Sequence, residues 1–136
     1  MIRKLSFTTL VGAVIELVEK NTGLRNYDII PRDAELPHYH TAMTGQSPND
    51  TKTMFKEKYE IVIHAWAMCQ ESSEPIYEAI ENLQTALTEY IKLPAEYDLI
   101  NQIPKGVQQI IQDEDGSMHA ILGYEFEIAY GFKMKI

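Results

Sequence analysis

"KYEIVIHAWAM", residues 58–68, decides how the rest of the chain is read. Tyr59, Ile61, Ile63 and Ala65 fall on one face of an extended segment; Val62 and Trp66 fall on the other, with His64 between them. That period of two, in a run of β-branched and aromatic residues, is the pattern of a strand. Both faces are largely apolar, which predicts a central strand covered on both sides. The remaining elements are therefore placed around a sheet.

Working back towards the N-terminus, "TGQS" (44–47) lies in a stretch from Thr44 to Lys56 rich in Gly, Ser, Pro, Asn, Asp and Thr. Such a composition predicts a flexible loop over about 44–56. Before it, "HYHTAM" (38–43) reads as a strand, and the two prolines of "LRNYDIIPRDAELP" (24–37) predict an extended connection around one short strand at Tyr27–Ile30. Phe7, Leu10, Val11, Val14, Ile15 and Val18 recur at helical spacing, predicting a helix over about 7–21. Ser6 can cap its start, and Gly23 supplies its stop.

Downstream, "QESSEP" (70–75) starts a second helix with Pro75 in its first turn. Ile76, Ile80, Leu83, Leu87 and Ile91 continue it until Leu93–Pro94. Strands are expected near Tyr97–Ile103 and Val107–Asp113, then a tight turn at "DEDG" (113–116), then a last strand from Met118 onwards. The fold class is α+β: a single domain over 1–136, with a mostly antiparallel sheet of about four to six strands and two helices packed on one face.

A chain of 136 residues with 45% apolar content is long enough to bury one real core. Its 20 acidic and 12 basic residues give a net charge of −8, which argues against general nucleic-acid binding through clustered cations. One cysteine, Cys69, excludes an internal disulfide. The apolar run Leu10–Val18 contains Glu16 and is too short to span a bilayer. With "MIRK" before it and no small-residue cleavage site after it, the start of the chain reads as a helix of an unexported protein rather than a signal peptide.

His38 and His40 share one strand face, the spacing of a two-nitrogen metal site. Zinc needs at least one further ligand, for which His119, Glu125 or His64 are available, but no spacing forces any of them into place. The plainer reading puts both histidines on a semi-exposed strand face. Cys69 has no basic cluster or helix start to activate it, so a buried thiol fits better than a nucleophile paired with His64. Glu125 and Glu127 read as a solvated strand face, "DEDG" lacks the ligand ladder of a calcium loop, and "TGQS" has no Walker lysine. The chain does not read as an enzyme, and no cofactor is expected.

Three features taken together resemble a known family. Pro31, Ala34 and Pro37 form a Pro-x-x-Ala-x-x-Pro segment after the first helix, opening into a strand. "YEIVIHAWA" (59–67) closes on a Trp and is followed by "EPIYEAIENLQTAL" (74–87). "GSMHAILGYEFEIAY" (116–130) ends with His119, Tyr124, Phe126 and Ile128 in a fixed pattern. In this order they resemble the tail completion proteins of long-tailed bacteriophages, also called tail terminators or tail-to-head joining proteins, over about residues 7–130.

The resemblance implies a structural virion protein, without catalytic residues. It implies a homo-oligomeric ring, a hexamer, at the head-proximal end of the tail tube, which ends tube growth and joins tail to head. Partners would be other copies of the chain, the tail tube protein and a head-completion or stopper protein. The genome would pass through the lumen unbound, with no membrane involved. The location would be the virion tail, in a phage or prophage, and the host cytoplasm during assembly. His38 and His40 are no part of the resemblance. They keep open a small metal-dependent enzyme; a monomeric adaptor domain binding a partner through a strand edge is the other alternative. Acidic residues lining a ring would repel phosphates, although acidity also keeps a protein soluble.

Candidate contact residues follow from patterning. Met54 and Phe55 are an apolar pair in the polar loop, the composition of an anchor for a neighbouring chain. From Met118 to Ile136 every even position is apolar. A straight strand of that length would extend roughly 60 Å, beyond the ~37 Å diameter of a domain this size. It must bend at Gly123 or Gly131, or else carry "FKMKI" (132–136) outwards. Phe132, Met134 and Ile136 are therefore expected to pack on or pair with the next subunit.

Overall fold

The quoted strand is the spine of the molecule. A computed structural model describes residues 1–134, in the order α1 (Phe7–Thr22), β1 (Asn26–Tyr27), β2 (His38–Pro48), β3 (Met54–Met68), α2 (Glu74–Ala86), β4 (Asp98–Gln112) and β5 (Ser117–Phe132). The five strands form one sheet in the order β1-β2-β3-β5-β4, so β3 sits in the middle. Only the β1–β2 pair is parallel; the other pairs are antiparallel. The fold is a single α+β domain.

Both helices lie on one face of this sheet. Tyr59, Ile61, Ile63 and Ala65 of β3, and Ala120, Leu122, Phe126 and Ile128 of β5, are buried there with Leu10 and Val14 of α1 and Ile76 and Leu83 of α2. Burying such side chains contributes roughly 1.5–3 kcal/mol each, so this one face holds the domain together. Tyr39 ties sheet to helix by donating its hydroxyl to the Ala79 carbonyl at 2.7 Å. Its burial pushes the phenol pKa up to about 12. Tyr59 donates likewise to the carbonyl of Leu5, and Phe7 packs edge-on against its ring.

The second face carries no helix, which corrects the expectation of a strand covered on both sides. Val62, His64 and Trp66 are only half-buried. The connection 28–37 covers part of this face: Glu35 and Asp28 offer their carbonyls to His38 and His40.

α1 starts and stops as predicted. The Ser6 hydroxyl accepts from the Thr9 amide, and Gly23, at φ 74°, sends its own amide to the Glu19 carbonyl. Glycine adopts that left-handed conformation without steric cost. α2 ends at Ala86, earlier than the apolar spacing up to Ile91 implied. Gln102 of β4 is the reason: its side-chain amide donates to the carbonyls of Leu87 and Glu89, and its carbonyl accepts the Ile91 amide. One side chain thus satisfies the groups that another helical turn would have used, and Ile91 stays buried outside the helix.

The expected loop over 44–56 is mostly hairpin. β2 continues to Pro48 and β3 begins at Met54, leaving a tip at 49–53 pinned by Asn49 to Lys56 and Thr51 to Met54 backbone bonds. Polar composition misled here because both arms are paired, Gln46 with Tyr59 and Ser47 with Lys58, while their outer side chains stay in water. The strand expected at Tyr27–Ile30 shrinks to β1, and the two strands expected at 97–103 and 107–113 are one, β4, with register shifts near Ile100, Lys105 and Gln108. β5 shifts register against β3 at Tyr130, and Gly123 pairs with Gly106 across the second β4 irregularity. A Cβ at Gly123 would meet the Gln108 side-chain amide, which would have to move aside, and would stand 3.1 Å from the Lys105 Cβ, so glycine eases the close packing at this irregularity. The "DEDG" turn closes the β4–β5 hairpin, with Gly116 at φ 89° and Ser117 bonded to Asp115.

Candidate functional site

The helix-free face gathers all four histidines of the chain. His38 and His40 of β2 stand opposite Trp66 and His64 of β3, and His119 of β5 stands opposite Trp66 from the other side. The rings touch in series. His119 stacks on Trp66 with centroids 3.8 Å apart and planes 6° apart, and on His64 at 4.8 Å. His40 stacks on His64 at 5.4 Å, and Tyr27 meets His38 edge-on at 5.5 Å. His64 Nδ1 and His119 Nε2 face each other at 2.6 Å.

Burial, then the neighbouring His119 and His40, lowers the pKa of His64 to about 4. Burial also lowers that of His119, against an opposing pull from Asp113. Both rings are neutral near pH 7. Among the described residues no three His, Cys, Asp or Glu side chains stand in the geometry of a metal site. The expected pair His38 and His40 does not form one either: His38 is buried, 5% exposed, and bonds the Glu35 carbonyl, whereas His40 bonds that of Asp28.

The remaining candidates separate. Cys69 is buried in the core on the helix side, and His64 projects from the opposite face, so they form no nucleophile–base pair. Glu125 is not solvated, as the alternation implied; it is 5% exposed and lies between Lys58 at 3.7 Å and Lys105 at 3.2 Å. The bulged β4 brings Lys105 over it. Glu127 takes a hydrogen bond from Asn101 at 2.7 Å. These are ion-paired and hydrogen-bonded positions of a sheet face.

Met54 and Phe55 are half-buried strand residues rather than a stranded loop pair. Phe55 packs on Tyr130 at 5.7 Å, with the Lys133 ammonium 5.4 Å from its ring. Phe132 pairs its backbone with Met54, and the Lys133 amide donates to Thr53, yet the side chains of Phe132 and Met134 are 70% and 91% exposed. Ile136 lies outside the described residues.

Two features had no clear signal in the sequence. Edge strand β4 exposes Ile100, Val107 and Ile110, and nothing in their spacing says that they lie at the sheet's rim. Glu57 is 1% exposed and ion-paired to Lys4 at 2.6 Å, holding the N-terminal arm across the sheet; it stands directly after the loop expected to end at Lys56. Among the described residues no helix is long and apolar enough to cross a membrane.

The fold is thus a layer of two helices on one face of a five-stranded sheet, with β4 as an exposed edge. The family model described as "Putative tail termination protein" (phage tail terminator) matches residues 1–136, and the chain belongs to this family. It is a structural tail protein and not an enzyme. A solved chain from "Virion of native gene transfer agent (GTA) particle" shares the fold at TM-score 0.60 and 13% identity, over 91% of this chain and 99% of that one. No curated protein sequence matches the chain.

Proposed function

We propose that the chain assembles into a closed homo-oligomeric ring at the head-proximal end of a phage tail tube, ends tube growth there and joins tail to head. The family match across residues 1–136 carries this reading. A hexamer follows from the resemblance, and a phage-like particle as the source of a fold neighbour agrees with a virion location. On this reading the copies assemble in the host cytoplasm onto the tail tube protein and then receive a head-completion protein.

The surface supports a ring in two respects. The β4 edge offers unpaired backbone and exposed Ile100, Val107 and Ile110, which in a head-to-tail assembly repeat around the axis until it closes. The sheet end formed by Met54, Phe55, Phe132 and Met134 offers apolar side chains to a neighbouring subunit. Because Phe132 and Lys133 already pair at home, this end acts by side-chain packing rather than by added strand. The outer face of α2 carries Glu74, Glu78 and Glu81 in solvent; turned towards a lumen, such carboxylates would let the genome pass without gripping it.

Electron microscopy of lysates lacking this protein tests the assignment. Tails of uncontrolled length and unattached heads are expected. Normal virions would remove it, and a chain bound to finished tails as single copies would favour an adaptor over a ring.

A further inference from the structure

The sheet end with Phe132 and Met134 needs a counter-surface, and the charge pattern of the chain supplies one. We propose that this end docks head-to-tail onto the opposite end of the sheet in a second copy of the chain. The proposal rests on the ring reading above and names the two surfaces that meet.

Three observations carry this. First, the docking end is anchored. Lys4 reaches the buried Glu57, Leu5 is buried, and the Leu5 carbonyl accepts from Tyr59. The arm so held lays Ile2 on Gly131, where a Cβ would stand 3.1 Å from the Ile2 side chain. Lys133 ties the end of β5 to the hairpin tip through Thr53 and Asp50. Ile2, Phe132 and Met134, all exposed, therefore form one apolar tip on fixed backbone. Second, charge is divided between the two ends of the sheet. Arg3 and Lys52 are exposed at the docking end and enter no ion pair among the described residues, while the neighbouring Asp50 and Glu57 are taken by Lys133 and Lys4. The sequence has no Lys or Arg from Tyr59 to Ile91, nor from Gly106 to Phe132. At the far end the Cys69 amide bonds the Gly116 carbonyl, bringing the 68–71 segment to the 113–116 turn. Glu71, Glu74, Glu114 and Asp115 stand exposed there, none of them ion-paired among the described residues. The 15 residues of β3 separate the two ends by roughly 50 Å. That is several times the ~8 Å screening length of physiological salt, so the ends cannot neutralise each other within one chain. Between two copies they can. Third, the far end has a recess for the tip. An open cleft of about 510 Å³ is lined there by Met68 and Pro75 together with Glu71, Glu74 and Glu78. An apolar tip flanked by cations suits that lining: apolar groups lose water at the centre and opposite charges pair at the rim. Glu74 and Glu78 then meet a neighbour, leaving Glu81 of α2 for a lumen.

The test uses the full chain and reads rings by native mass measurement in solution and by electron microscopy on tails. Arg3→Glu with Lys52→Glu reverses one surface, and Glu71→Lys with Glu74→Lys reverses the other. Each double variant alone should lose rings about tenfold or more, with the circular dichroism of the wild type. Mixed in equal amounts they should regain rings, because every contact of an alternating hexamer again joins opposite charges. If a double variant fails to fold, salt gives a second readout on the wild type. From about 0.1 M to about 1 M the screening length falls from ~10 Å to ~3 Å, and rings should dissociate. Rings indifferent to salt, or a folded double variant that assembles as the wild type does, would overturn the contact and leave the ring reading standing. Loss without recovery in the mixture would overturn it too, assigning the two surfaces to other proteins. A wild type that forms no ring, in solution or on tails, would remove the ring reading and this contact with it.

Discussion

Neighbours decide what His64 does. The ring is lowered to about 4 by burial first, and then by His119 and His40, while Asp113 acts on His119 in the opposite sense. The folded value lies below the ~6.5 of an unfolded histidine, so between these pH values the unfolded chain binds more protons than the folded one. Stability therefore rises with pH across that window: it is intact above about 6.5 and is lost progressively as pH falls towards 4. Because the ring is half-exposed, solvent screening reduces the effect to about 1 kcal/mol. Chemical denaturation at pH 7.5 and pH 5 should show this fall in the wild type and a flatter dependence in His64→Gln. An unchanged slope in the variant would mean that other groups, such as the remaining histidines, set the acid response.

At the scale of elements, the β2–β3 hairpin and β4 matter most. The 49–53 tip carries an exposed Lys52 and is held by local bonds such as Thr51 to Met54 and Asp50 to Lys56, with Lys133 reaching Thr53 and Asp50 from the end of the chain. Local openings concentrate at such tips. Limited trypsin digestion of the free protein should cut first after Lys52, and the same bond should be protected in assembled tails. Equal rates in both states would place the tip away from every contact. α1 was legible end to end because its cap, apolar stripe and glycine stop are all local. α2 was legible only at its start, since Gln102, sixteen residues beyond Ala86, decides where it ends. β4 was read as two strands for a related reason: Pro104 and Gly106 look like breakers, and their tolerance depends on pairing with Tyr124 and Gly123 of β5.

Over the whole molecule, one buried face carries the stability, leaving the rim free for assembly. Phe132 and Met134 lie at that rim with their side chains in water. Deleting residues 132–136 removes little core, so denaturation should register a change within about 1 kcal/mol. The truncated chain should fold but fail to complement a phage lacking the intact protein, with rings absent in native mass measurements. Rings of normal mass from the truncated chain would move the interface to the β4 edge, where Val107→Lys with Ile110→Lys becomes the next variant.

The sequence by itself determined the class of fold, the central strand and the helix-on-one-face layering, because alternation and helical spacing are local properties that burial only ratifies. It also carried the family resemblance, which lies in the order of segments along the chain. Only the tertiary structure decided which polar residues are buried and which meet. Glu125 looked solvated until the bulge of β4 laid Lys105 over it. The four histidines, at positions 38, 40, 64 and 119, became one cluster through the register of three strands. Register is a sum of long-range pairings, and no stretch of the chain shorter than the hairpins that fix it contains that information.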